Sequence, residues 1–320
     1  MACCLSACRL PGGRRGAGRR ALTPGPPAPV SAQGRAVAFA ASPEALDLDA
    51  GWPLLRDAAV AAGLAPSVVV WDDPGVDWRA FGLVVAIYTW GYVTRRERFL
   101  AWVSAAARQT ALVNPEPVLR WNSDKGYLAD LAAAGVPTVP TTWVPPGAAW
   151  EPPARDYVVK PAVASGGIGA ARFAARGVES AREHVADLHR AGQTALVQPY
   201  LPAVDGEGET ALVFFGGRFS HAVSKQGVLE ADVGAIFGLW ERQVVAPRAA
   251  RADLLALAER ALRAVRARVG PVAYARVDVV DGGGGRPVVM EVELIEPTLF
   301  LHLAPGSARR LAAVLRSAAG

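Results

Sequence analysis

From Arg35 onward the chain alternates short β-branched apolar runs with stretches of helical period, and that alternation restricts it to sheets covered by helices. Ala36 to Ala40 reads as a strand, Trp52 to Ala62 as a helix ended by Gly63, and Ser67 to Trp71 and Gly82 to Ile87 as further strands. Thr94 to Arg108 has helical spacing and Ala111 to Val113 is a short strand, so residues 36–117 form an N-terminal α/β unit with a parallel sheet. Asn122 or Ser123 is placed to cap a helix running through Tyr127, Leu128 and Leu131 to Gly135. The Pro-rich stretch Pro137 to Pro153 leads into strand Tyr157 to Lys160, a glycine turn, strand Ala170 to Ala174 and a helix near Val178 to Ala191, giving a second unit over 118–194. The third, 195–320, is strand-rich: Ala195 to Gln198, Thr210 to Phe215 and Arg218 to Val223, then helix Leu254 to Val269, strands Val272 to Val280 and Pro287 to Leu294, and a last helix near Ser307 to Ser317.

Charge and cysteine usage narrow the function classes. Lys and Arg number 34 against 29 Asp and Glu, yet residues 1–35 alone hold six arginines and no acid, so the body is near neutral. Cys3, Cys4 and Cys8 are also confined there, leaving the body no disulfide, thiolate metal site or cysteine nucleophile, as suits a cytoplasmic protein. With five prolines and no interleaved aromatic, residues 1–35 read as a disordered basic tail or a mis-called start rather than a nucleic-acid arm. No apolar run approaches the roughly 20 residues of a membrane-spanning helix, so neither membrane nor nucleic acid is an expected partner.

Lysine is the rarest cation here, at Lys125, Lys160 and Lys225 only, against 31 arginines. A compact ammonium differs from a guanidinium fork, and a point charge facing phosphate is one place where that matters; chance survival on the surface is the alternative. Lys160 ends its strand shortly before Ser165-Gly166-Gly167-Ile168-Gly169, where residues without a Cβ let backbone N–H groups approach phosphate oxygens, although a hairpin turn would look the same. In the last two long strands Val277 and Val279 alternate with Arg276 and Asp278, and Val288, Met290, Val292 and Leu294 with Glu291 and Glu293. Matching the apolar faces puts Arg276, Asp278, Glu291 and Glu293 together on the other face. Three converging carboxylates suit Mg²⁺, and a solvated polar face is the alternative. Gln198-Pro199-Tyr200-Leu201 is an extended segment whose backbone can read an adenine edge; His184 and His189 read as helix-surface residues. No serine-nucleophile signature is present.

Taken in order, Trp121-Asn122-Ser123-Asp124-Lys125, Val158-Val159-Lys160-Pro161, the glycine loop, Gln198 to Leu201, Arg276-Val277-Asp278 and Glu291-Val292-Glu293 resemble the ATP-grasp superfamily, in its glutathione-synthetase-like branch. Trp71 to Pro74, Asn114-Pro115, Arg120 to Lys125, Ser220 to Val223 and Glu293 to Pro297 are similar more narrowly to the O-ureido-serine cyclo-ligase group of cycloserine biosynthesis and its actinobacterial relatives. The resemblance implies an ATP-grasp fold, α/β (α+β), in which two α+β subdomains clamp ATP with Mg²⁺ or Mn²⁺. It implies that Lys125 and Lys160 hold phosphates, that Gly166, Gly167 and Gly169 form a lid loop, and that Gln198, Tyr200 and Leu201 line the adenine pocket with Glu209 near the ribose. Asp278, Glu291 and Glu293 match metal positions. Arg276 would steady the transferring phosphoryl group, and Lys225 would face phosphate or substrate.

The implied chemistry is ligation of a small carboxylate to an amine-type substrate through an acyl phosphate, in a chain that can form homo-oligomers. Where the cyclo-ligase group reads Arg-Ser-Thr-Trp-Asp-Tyr, this chain has Ile87-Tyr88-Thr89-Trp90-Gly91-Tyr92; its lid lacks Gly-Ser-Arg-Asp; Ser224 replaces an arginine before Lys225, and Ala231 to Leu239 lacks another. Arginine is the usual carboxylate clamp, so the substrate is expected to differ from O-ureido-serine or turnover to be lost, leaving an ATP-binding sensor or partner protein. A phosphotransferase without an amine acceptor is the third reading.

Overall fold

The computed structural model describes residues 35–42, 45, 49–227 and 243–320; the cysteines and the segment Ala231 to Leu239 lie outside the described residues. The chain first forms a parallel sheet of β1 (Arg35–Ala41), β2 (Leu64–Val70), β3 (Leu83–Tyr88) and β4 (Ala111–Val113), in the order β2-β1-β3-β4. Helices α1 (Trp52–Ala61) and α2 (Arg96–Ala107) cover its two faces. Side-chain alternation sorts Val37, Phe39, Leu83 and Val85 towards α1, and Ala38, Ala40, Val84 and Ala86 towards α2 with Trp71, Trp78, Phe99 and Trp102. Both faces being covered explains why β3 is buried along its whole length.

Two short helices follow, α3 (Glu116–Asn122) and α4 (Tyr127–Ala133), where the sequence predicts one capped by Asn122 or Ser123. Neither residue caps it: Asn122 closes α3, Ser123 donates back to the Arg120 carbonyl at 2.8 Å, and the Gly126 N–H is taken by Asp124 at 2.8 Å. A second sheet, order β5-β8-β6-β7, is antiparallel and comprises β5 (Thr142–Val144), β6 (Tyr157–Pro161), β7 (Ala171–Phe173) and β8 (Ala195–Pro199), with α5 (Val178–Arg190) against it. β5 lies inside the Pro-rich stretch, where the sequence pattern predicts no strand. On α5, His184 and His189 are half-buried instead of free, donating from Nε2 to the carbonyls of Gly169 and Val144, both at 3.0 Å.

The third sheet has the order β11-β10-β9-β12-β13. Its strands are β9 (Glu209–Phe215), β10 (Arg218–Gln226), β11 (Val244–Arg248), β12 (Tyr274–Asp281) and β13 (Pro287–Glu293), with α6 (Ala252–Val269) before β12 and α7 (Ser307–Ala318) last. The two-residue β9–β10 turn places Gly216 and Gly217 at φ 57° and 75°, the left-handed pair such a hairpin needs. One face is largely apolar: Leu212, Phe214, Val277, Val279 and Val292 pack with Leu254, Leu257 and Leu262 of α6. The other is divided. Val213, Phe215 and Tyr274 join the core of the first sheet and α7, while the remaining length of the same strands carries Glu209, Lys225, Arg276, Asp278, Glu291 and Glu293.

β13 ends the sheet, and an edge strand leaves a row of unpaired backbone groups. Here the preceding segments supply partners. The Val289 N–H donates to the Pro137 carbonyl at 2.9 Å and its carbonyl accepts from Val139. The Val292 N–H donates to the Tyr127 hydroxyl at 3.1 Å. Asn122 donates to the Val292 carbonyl at 2.8 Å and accepts from the Leu294 N–H at 2.7 Å, which is why its amide is unavailable as a helix cap. Asn114 donates to the Leu294 and Tyr274 carbonyls and accepts from Ala273.

Candidate active site

The β12–β13 register sets Arg276 opposite Glu293, Val277 opposite Val292 and Asp278 opposite Glu291, the pairing that apolar alternation demands. Arg276 forks onto Asp278, from Nε to Oδ1 at 2.9 Å and from Nη2 to Oδ2 at 3.0 Å; it also pairs with Glu293 and donates to the Thr298 carbonyl at 3.1 Å. Lys225 reaches across β9 to Asp278 at 2.6 Å and Glu209 at 2.9 Å. Lys125, between α3 and α4, pairs with Glu291 and donates to the Ala164 carbonyl at 3.0 Å. Every carboxylate of the expected set is thus joined to a buried cation.

Burial and these pairs pull against each other. Desolvation raises the Asp278 carboxyl, but Arg276 and Lys225 outweigh it and hold it below the ordinary carboxylate range. Burial likewise opposes charge on Glu291, where Lys125 and Lys160 prevail and lower it. For Glu293 burial wins, aided by Glu291 and Asp278 against the Arg276 ion pair, and the carboxyl is raised to about 7. Burial pulls Lys225 and Lys125 down, but their acidic partners keep both above the usual lysine value. Lys160 differs: it has no ion-pair partner among the described residues, and burial together with the neighbouring Lys125 ammonium lowers it to about 8.

Asp278, Glu291 and Glu293 share one face. Among the described residues no group of three or more His, Cys, Asp or Glu side chains is already gathered as a metal-ligand set. Like charges at adjacent positions repel, and each carboxylate has turned onto the cation beside it. The donor type still fits a hard divalent ion, once those cations have other partners.

The glycine turn lies beyond Lys160. Gly166, Gly167 and Gly169 have φ of 58°, 73° and 76°, a conformation that side chains rarely adopt, and a Cβ at Gly169 would come within 3.1 Å of the Pro161 ring. Gln198, Tyr200 and Leu201 stand apart from the charged cluster. Gln198 pairs with Val158 at the end of the β6–β8 ladder and its side-chain amide donates to the Thr141 hydroxyl at 2.8 Å. Tyr200 bonds Asp205 and lies under the Arg172 guanidinium, whose carbon is 3.5 Å from the ring centroid; Leu201 packs with Val139 and Val280.

A small cleft opens beside Lys125, its wall including Tyr92, Ser123, Glu291, Glu293 and Glu296. Sequence reasoning did not mark Tyr92, Asn114, Asn122, Tyr127 or Glu296 as site residues. Asn114, Asn122 and Glu296 stood in the motifs that carry the resemblance without a role of their own, and Glu296 is a third acid three residues after Glu293. Its carboxyl is pushed well above the ordinary range by burial and by Glu293, with Lys125 opposing.

Comparison with known proteins agrees with this architecture. The family of D-cycloserine synthetase DcsG N-terminal domains matches residues 37–114. The cycloserine biosynthesis protein DcsG of Streptomyces lavendulae is 39% identical over 285 residues, covering 84% of this chain and 94% of that one. The crystal structure of D-cycloserine synthetase DcsG superposes with a TM-score of 0.83 at 36% identity, over 89% of this chain and 100% of that one. D-alanine–D-alanine ligase from Bacillus anthracis, complexed with ATP, shares the fold at a TM-score of 0.63 and 12% identity, over 89% and 97%.

Proposed function

The chain belongs to the DcsG family of ATP-grasp ligases, and we propose that it joins a small amino-acid-like carboxylate to an amine-type nucleophile, releasing ADP and phosphate. The observation that carries this reading is the half-polar face of the third sheet, where Lys225, Arg276 and four carboxylates meet Lys125 from the α3–α4 turn beside an open cleft and a glycine turn. Lys125, Lys160, Lys225 and Arg276 would bind the phosphates, with Gly166, Gly167 and Gly169 closing over them and Gln198, Tyr200, Leu201 and Glu209 bordering the nucleoside. Asp278, Glu291 and Glu293 would hold Mg²⁺ or Mn²⁺, which when bound supplies charge neutralisation across the phosphates. Residues 36–117 then act as the substrate-facing unit, and 118–194 and 195–320 as the two halves that close on ATP in the cytoplasm.

In the mechanism that follows, a substrate carboxylate oxygen attacks the γ-phosphorus, the bond to the β-bridging oxygen breaks, and ADP leaves. The amine then attacks the acyl carbon and phosphate departs with the bonding pair. Arg276 would hold the transferring group, its guanidinium being oriented by Asp278, Glu293 and the Thr298 carbonyl. Phosphate oxygens would compete with the carboxylates for these cations, and Asp278, Glu291 and Glu293, so released, would be the residues that hold the metal. Mg·ATP binding by calorimetry, followed by ADP release against a pool of amino acids, tests the reading. Release triggered by one substrate supports it; binding without release favours the ATP-binding homologue without turnover, and no binding overturns both. The segment Ile87 to Tyr92 favours an altered substrate over O-ureido-serine, because Ile87, Tyr88 and Thr89 are buried and it carries no cation.

A further inference from the structure

The cleft beside Lys125 holds more acid than the nucleotide chemistry uses. Glu291 is paired with Lys125 and Glu293 with Arg276, but Glu296, on the same wall, has no cation bonded to it among the described residues. Two other polar side chains on the cleft wall are engaged. Ser123 donates to the Arg120 carbonyl and accepts from Arg96 Nε at 3.0 Å, and Asn122 is committed to β13. A second, independent observation comes from Tyr92. It is only 4% exposed, it lines this cleft, and its hydroxyl has no hydrogen-bond partner among the described residues. That hydroxyl is not among the side-chain polar atoms sealed from solvent without a partner, so it is open to a group entering the cleft.

We propose that Glu296 and Tyr92 seat the ammonium group of a free amino acid, making this end of the cleft the substrate's amine pocket. An ammonium has three donors and no acceptor; the Glu296 carboxylate and the Tyr92 phenolic oxygen offer acceptors from two walls, and the phenol proton is free to turn away. The charge that burial and Glu293 make unfavourable on Glu296 is then compensated by the ligand. Trp90 fixes the two walls together, its indole N–H donating to the Glu296 carbonyl at 3.2 Å. The free space there, about 20 Å³, is that of a single water-sized group, which an ammonium matches. With the amine held there, the carboxylate of the same molecule extends towards Lys125 and the phosphate side. The pocket thus selects a zwitterion and rejects an N-acylated amino acid, which leaves Glu296 unpaired. This inference rests on the ligase reading for which end of the substrate reacts, but amine recognition can be read by itself.

The test is thermal-shift binding by the full chain, with and without Mg·ADP, against free L- and D-amino acids and their N-acetyl counterparts. At least one free amino acid is expected to raise Tm while its N-acetyl form does not. Glu296→Gln, nearly isosteric, is expected to need at least tenfold more of it and Tyr92→Phe at least threefold, with circular dichroism confirming that both fold. Where that amino acid supports turnover, Glu296→Gln raises KM tenfold or more with kcat within threefold. Equal shifts from N-acetyl forms, a Glu296→Gln response within twofold of wild type, or no shift from any free amino acid overturns the proposal. Mg·ATP calorimetry on the wild-type chain separates the two readings: binding with a failed amino-acid test removes only the amine pocket, and no binding removes the ligase.

Discussion

Replacing Asn122 by alanine removes the side chain that closes the outer edge of β13, at a position 8% exposed. Two backbone groups lose their partners, the Val292 carbonyl at 2.8 Å and the Leu294 N–H at 2.7 Å, and no neighbouring strand replaces them. A buried group left unsatisfied costs about 1–3 kcal/mol, so Asn122→Ala should lower stability by about 2–4 kcal/mol, a large share of the ~5–15 kcal/mol of a folded domain. Tyr127→Phe, which removes one acceptor from the Val292 N–H, should cost about 1 kcal/mol on the same scale. Urea unfolding measures both. Because Glu291 and Glu293 flank Val292 on this edge, Asn122→Ala should also weaken Mg·ATP binding under conditions where the variant is still folded. A loss below about 0.5 kcal/mol would mean that water completes the edge, the range expected of an ordinary surface substitution, and would refute the clamp. Full destabilisation with unchanged Mg·ATP affinity would refute its link to the site.

Lys160→Ala and Glu291→Ala should each weaken Mg·ATP binding tenfold or more in calorimetry, about 1.4 kcal/mol, and unchanged affinity would mean the site is misplaced. Lys160 loses its proton at about 8 in the free protein, and only the ammonium attracts phosphate, so affinity should fall as pH rises from 7 to 9; Lys160→Arg should flatten that limb. With the Glu293 carboxyl raised to about 7, its anionic form is lost as pH drops, so Mg²⁺-dependent binding should also weaken below 7 and peak between the two values. Lys225→Met leaves Asp278 with Arg276 alone and Glu209 with no ion pair; a melting curve should show a loss towards the low end of the ~3–5 kcal/mol for breaking a buried pair.

Much of this protein was legible in one dimension, because period-two alternation and short polar spacings are local. The pattern of Arg276 and Asp278 against Glu291 and Glu293 already specified the β12–β13 register, since a slip by one residue would bury those charges against α6. The glycines of the β9–β10 hairpin and of the lid turn were equally readable, as backbone demands stated by residue type. The site around them was not. Asn122 looked like a helix cap because a short amide before an apolar run has that meaning locally, but its partners lie 170 and 172 residues away on β13. Tyr92 and Glu296 share a cleft across more than 200 positions, and the pairing of Lys125 with Glu291 spans 166. Sequence alone determined which residues could carry charge on one face; only the tertiary structure decided which cation each carboxylate pairs with. Which charge compensates which depends on distance through space and on desolvation, and neither is encoded by separation along the chain.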